Sequence, residues 1–200
     1  MGNRRPPRTR PSDLELERVI RQALSWEVLC LLDALGFRGE GVVQHLRFGE
    51  LFDFNKGSRR HFNHPMGMHD LVIHTRVIAD FLRCPSGCTN PEHGDDVEAG
   101  DLAALWGGSD PIKSRRADFN KGVAHLSRTR GLREVVPVRD RVRMARVTLE
   151  ELAKYIAFVD PPYQEWFGDI RDALLEAKQS RAWPLEATSV VDDLEESSSR

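Results

Sequence analysis

The chain is predicted to be all-α, a single bundle of five or six helices with polar tails at both ends. Three observations lead there. Apolar residues recur at three-and-four spacing over long stretches, as they do on the buried stripe of a helix. Helix punctuation falls at the ends of those stretches: Ser12-Asp13, Gly36, Cys84-Pro85, Pro111 and Asp160-Pro161-Pro162. No segment alternates with the period of two that a half-buried strand needs, and no hairpin turn signal occurs. With 200 residues the chain is long enough for one well-buried core. Expected boundaries are a basic tail over 1–12, one all-α domain over 13–185, and an acidic, Ser-rich tail over 186–200, both tails too polar to bury a core.

Taken in order, Ser12-Asp13 offers an N-cap for a helix from about Leu14 to Leu35. Leu16, Val19, Ile20, Ala23, Leu24, Val28, Leu31 and Leu32 keep helical register there, and Gly36 ends it. A short helix is expected from about Gly41 to Phe52, then a loop to Pro65. A strongly apolar helix runs from about Met66 to Arg83 and stops before Cys84-Pro85, because the residue before proline avoids the helical region. The stretch 84–100, rich in Pro, Gly and acids, reads as loop. Pro111 suits the first turn of a helix capped by Ser109 or Asp110 and ending near Gly131. Val135–Val138 reads as a short extended piece, and Thr148-Leu-Glu-Glu151 as a capping box opening a helix to about Val159. A last helix is expected from about Tyr163 to Arg181. Trp26, Trp106, Trp166 and Trp183 read as core or helix-junction anchors.

Composition narrows the function. No apolar run approaches the length that spans a bilayer, so no membrane partner is expected. Residues 1–11 hold four arginines and three prolines without the apolar centre of a secretory signal, and three cysteines cannot all pair. A reducing, cytoplasmic setting follows as the expectation. Net charge is near zero but segregated. Eleven Lys or Arg stand against three acids from Lys113 to Arg146, whereas Glu92–Asp101 holds five acids and no base. A basic middle with acidic flanks suits an anionic partner such as RNA; the rival reading is a set of solvated helix faces. Phosphate-binding glycine loops, nucleophile elbows, dinucleotide fingerprints and zincin motifs are all missing, and no cofactor is implied.

One pentapeptide, DFNKG, occurs twice, at 53–57 and 118–122. Only these five residues match, so the pair is not a structural repeat. The first copy reads as loop. The second lies on the helix expected after Pro111, where Phe119, Val123 and Leu126 form the buried face. Asp118, Lys121, His125, Arg128 and Thr129 make a polar stripe beside it. Arg116, nine residues before His125, falls on the opposite side. On the Met66–Arg83 helix, His69, Arg76 and Asp80 share one line, and Arg76 with Asp80 one turn on is the expected ion pair. That line could also face His125.

His74-Thr-Arg76-Val-Ile-Ala-Asp80-Phe81-Leu82, Asp95-Asp96-Val97-x-Ala99-x-Asp101 and Asn120-Lys121-x-x-Ala124-His125-Leu126-Ser127-x-x-Arg130 together resemble a group of small bacterial helical proteins. Those proteins in turn look related to the HEPN superfamily of toxin–antitoxin and abortive-infection systems. The resemblance spans residues 66–130. It implies a bundle that dimerises and cleaves RNA without metal through an Arg-x(4–6)-His motif. Histidine exchanges the 2′-hydroxyl or leaving-group proton, and a guanidinium holds the phosphate oxygens as charge builds. His125 matches the family's histidine, while position 120 is Asn where the arginine would stand.

The resulting expectation is a HEPN-like defence or toxin module, a metal-independent endoribonuclease with His125 as the reacting group. Lys121, Arg128 and Arg76 would act as phosphate-side cations, Asp80 as orienter and Asn120 at the arginine position. The alternative is a non-catalytic helical module, monomeric or homodimeric, that docks a nucleic acid or protein partner on the basic mid-section. Cys84-x3-Cys88-x4-His93 has zinc-like spacing, with Asp95 or Asp96 to complete four ligands, but the spacing departs from common zinc loops, so no metal is assigned.

Overall fold

The computed structural model describes residues 11–37, 68–87, 97–117, 119 and 137–179. Among the described residues there is helix, 3₁₀ turn and loop but no strand, so the fold is all-α. Four helical rods carry it. The first comprises α1 (Asp13–Arg18), a π-helical segment (Val19–Leu24) and α2 (Ser25–Ala34) without a break; the others are α3 (Met68–Arg83), α4 (Val138–Ile156) and α5 (Gly168–Gln179). The helices expected over 41–52 and beyond residue 119, and both expected tails except Pro11 and Ser12, lie outside the described residues.

Ser12 starts the first rod with a reciprocal capping box. Its hydroxyl accepts from the Glu15 amide while the Glu15 carboxylate accepts from the Ser12 amide at 2.8 Å, satisfying two otherwise orphaned donors. The rod ends as read from Gly36. Gly36 takes φ +88°, its amide donates to Asp33 O at 2.9 Å, and the Phe37 amide donates to Leu32 O at 2.9 Å. In between, the i→i−5 pattern at Val19–Leu24 shifts the register by one residue. The Ser25 amide donates to Ile20 O, and the buried Ser25 hydroxyl donates to the same carbonyl at 3.0 Å.

Helix α3 is the centre of the bundle, packed between α2 and α4. Leu71, Ile78 and Leu82 face a core shared with Leu24, Leu31, Leu149 and Leu152, each such side chain contributing roughly 1.5–3 kcal/mol by leaving water. The returning chain satisfies the end of α3. Trp106 Nε1 and the Ser109 amide both donate to Leu82 O at 2.9 Å. Gly108 makes this approach with φ +79°, where a Cβ would sit 2.6 Å from Arg83 O.

The last part of the chain corrects the sequence reading. Thr148 and Glu151 do not open a helix: they lie inside α4, which begins ten residues earlier, directly after an extended Pro137. Thr148 is fully buried, so its hydroxyl is not available as a cap. Tyr163 likewise does not start an α-helix, because Pro161–Phe167 is a 3₁₀ segment that turns the chain before α5. Tyr155 joins these pieces. Its ring meets Phe81, Trp106 and Phe167 edge-on at centroid distances of 5.3, 5.1 and 5.8 Å, and its hydroxyl donates to Ala99 O at 3.0 Å. Burial pushes that hydroxyl's pKa far above its ordinary value, so it is a permanent donor.

Candidate nucleic-acid interface

A second apolar cluster positions the basic mid-section. Ile112 and Phe119, the latter from the second DFNKG copy, are buried with Val72 and Ala79 of α3 and Met144 of α4. They pin the segment 112–119 in the seam between the two helices. The caps expected for a helix at Pro111 are engaged elsewhere. The Ser109 hydroxyl donates to Glu151 at 3.0 Å, and the Asp110 carboxylate takes a two-pronged bond from Arg116 at 2.8 and 2.9 Å. Residues 113–115 accordingly form a 3₁₀ turn.

Arg116 is the hinge pin of this arrangement. Besides Asp110 it bonds Asp80 Oδ1, while Arg76 Nε donates to Asp80 Oδ2 at 3.3 Å. Burial works against the Arg116 charge, yet the hydrogen bonds to Asp110 and Asp80 outweigh it, so its pKa is raised. Each oxygen of Asp80 therefore already has a guanidinium partner. Arg76 and Asp80 are brought together, as their spacing suggests; Asn120, Lys121, His125 and Arg128 lie outside the described residues. Of the zinc-like loop, Cys84 is buried and not in a disulfide, whereas Cys88 and His93 lie outside the described residues. No cluster of metal-ligating side chains occurs among the described residues.

Two features escaped the sequence, one contact and one cleft. His74 Nδ1 and Glu27 Oε2 are 2.6 Å apart between α3 and α2, a pairing of residues 47 apart that no local spacing signals. Near it a cleft of about 420 Å³ opens between the π-helical segment and α3. Glu27, Asp80 and Glu98 face it against Arg83, so its field is unsuited to a polyanion.

The cations gather instead at the start of α4. Arg139, Arg143 and Arg146 follow at i, i+4 and i+7 and share one face; Arg139 and Arg143 are exposed, and Arg146 is half-buried. Arg115 Nη2 bonds Asp140 at 3.1 Å, which lays the turn carrying exposed Lys113 alongside the first turn of α4. Asp140 also lies 3.8 Å from Arg143, a weak pairing given that the Arg143 side chain is 67% exposed. Burial lowers the pKa of Arg146, with Glu150 pulling the other way, and lowers that of the buried Arg141. The surface thus presents five cations, Lys113, Arg115, Arg139, Arg143 and Arg146, with two acids, Asp140 and Glu150, among them. Comparison with protein-family models, with curated proteins and with solved structures finds no match to this chain. None of the helices among the described residues is long and apolar enough to cross a membrane.

Proposed function

We propose that the protein is a HEPN-like helical module that docks RNA by its phosphate backbone on the arginine-bearing face of α4. The observation that carries this reading is the joining of five cations from two chain segments by the Arg115–Asp140 bridge. Arginine suits the task because its planar fork binds phosphate oxygens bidentately. Among the described residues, none of 113–117 or 138–150 is aromatic, which fits backbone tracking rather than base stacking. The test is RNA affinity as a function of salt. Each lost phosphate contact lowers the log–log slope by about 0.7 on a single strand, so Arg139→Gln with Arg143→Gln should flatten it by about 1.4. Affinity independent of salt in the unaltered protein ends the proposal.

A second reading, cleavage of the docked RNA by His125, is favoured by one contact. Arg116, held by Asp80 and Asp110, anchors on α3 the start of the segment that leads into the Asn120–His125 motif. Asp80 then serves as an anchor of that segment rather than as the partner of the histidine. RNA incubated with the protein and with His125→Ala separates binding from chemistry. Cleavage lost in the variant with affinity retained supports the nuclease; intact RNA with both proteins leaves a binding module.

A further inference from the structure

The described structure ends at Gln179, and the sequence beyond it is the chain's own polyanion. Residues 186–200 hold Glu186, Asp192, Asp193, Glu195 and Glu196 against one arginine. The place where α5 delivers this segment matters. The 3₁₀ connection Pro161–Phe167 leads into α5, which packs against α4. Ala153 and Ile156 of α4 share a small pocket with Arg171, Leu174 and Lys178 of α5. Lys178, in the last turn of α5, therefore lies close to Ala153 of α4. From Ala153 back to Arg139 is about 21 Å along the helix axis, at about 1.5 Å per residue. The twelve residues 180–191 can extend up to roughly 40 Å at about 3.3 Å each, so the acids at 192–196 reach the whole cationic face.

We propose that the acidic segment 186–200 occupies the Lys113–Arg115–Arg139–Arg143–Arg146 face of its own chain and competes there with RNA. Five carboxylates meet five cations, Arg139 and Arg143 are exposed to receive them, and the linking chain starts on the neighbouring helix. Because the two are tethered, the contact is governed by effective concentration and not by protein concentration. Its role as a competitor rests on the RNA-docking reading of the face; the contact itself does not. A segment that covers the face nine-tenths of the time weakens apparent RNA affinity about tenfold.

The experiment uses the full chain in two forms, unaltered and with E186Q, D192N, D193N, E195Q and E196Q. Carbodiimide joins touching amines and carboxylates, and mass spectrometry then looks for Lys113 linked to residues 192–196. The link is expected in the unaltered chain, within single molecules of an isotope-mixed sample, and is expected to vanish at high salt. Fluorescein-labelled oligouridylate, followed by anisotropy, should bind the neutralised form about tenfold more tightly. No link and equal affinities overturn the proposal while leaving RNA docking intact. Links found only between isotopically distinct chains overturn it too. An intramolecular link with no RNA binding by either form upholds the contact and sinks the RNA reading instead.

Discussion

Replacing Arg116 by Met tests the ionic junction that seats the basic segment on α3. The arginine side chain is 17% exposed, and its partners Asp110 and Asp80 are 19% and 37% exposed. Breaking a fully buried pair costs about 3–5 kcal/mol, and breaking an exposed one about 0–1 kcal/mol. Asp80 keeps Arg76 and some water, so most of the loss falls on Asp110, which stays mostly buried. The expected destabilisation is about 2 kcal/mol by denaturant titration. For a chain of this size that is a fall in melting temperature of about 4–8 °C. Met fills much of the vacated volume, so the effect reports charge and hydrogen bonding more than a cavity. Arg116→Lys keeps the charge without the fork and should lose about half as much. A double-mutant cycle with Asp110→Asn isolates the pair, with a coupling of about 1 kcal/mol. If Arg116→Met costs less than about 0.5 kcal/mol and the cycle closes without coupling, the junction does not hold the segment and the reasoning fails.

Other perturbations probe the same frame. Thr148→Val removes a fully buried hydroxyl that has no hydrogen-bond partner among the described residues, so it should stabilise by about 1 kcal/mol; calorimetry showing a lower melting temperature contradicts this. Gly100→Ala sets a methyl group inside contact distance of the Pro85 carbonyl, a backbone atom that cannot swing away, and should cost at least about 2 kcal/mol, read by chemical denaturation. The Glu151 carboxyl is held below its ordinary pKa, first by Lys154 and then, against burial, by Ser109. A depressed carboxylate pKa stabilises above about pH 4.3, the unfolded value, and that contribution fades as pH falls through the lower folded value. The melting-temperature gap between the protein and Glu151→Gln should thus be constant from pH 7 to about 5 and close below about 4. A gap indifferent to pH refutes the assignment.

Much of what could be read locally was read correctly. The Ser12 cap, the Gly36 stop, the halt of α3 before Pro85 and the Arg76–Asp80 pair all involve residues within a few positions of each other. Steric and hydrogen-bond rules act at that range. Buried Phe119 followed from helical periodicity, and Trp106 and Trp166 are buried as their reading as core or junction anchors expects. The failures have a common cause. Thr148-x-x-Glu151 satisfies the letter of a capping box, but a helix already under way gives it no free amides to cap, and what precedes it decides the matter. Asp110 looked like a cap because nothing nearby showed that Arg116 would claim it.

Sequence alone determined the all-α character of the described residues, most of the buried positions of their helices, and the crowding of positive charge between residues 113 and 146. Tertiary structure decided which of those charges share a surface. Arg116 was turned inward to Asp80 and Asp110, while Arg115 tied Lys113 to the arginines of α4. Pairing across helices depends on how rods pack, and packing is settled by the whole apolar core at once; no local spacing encodes it.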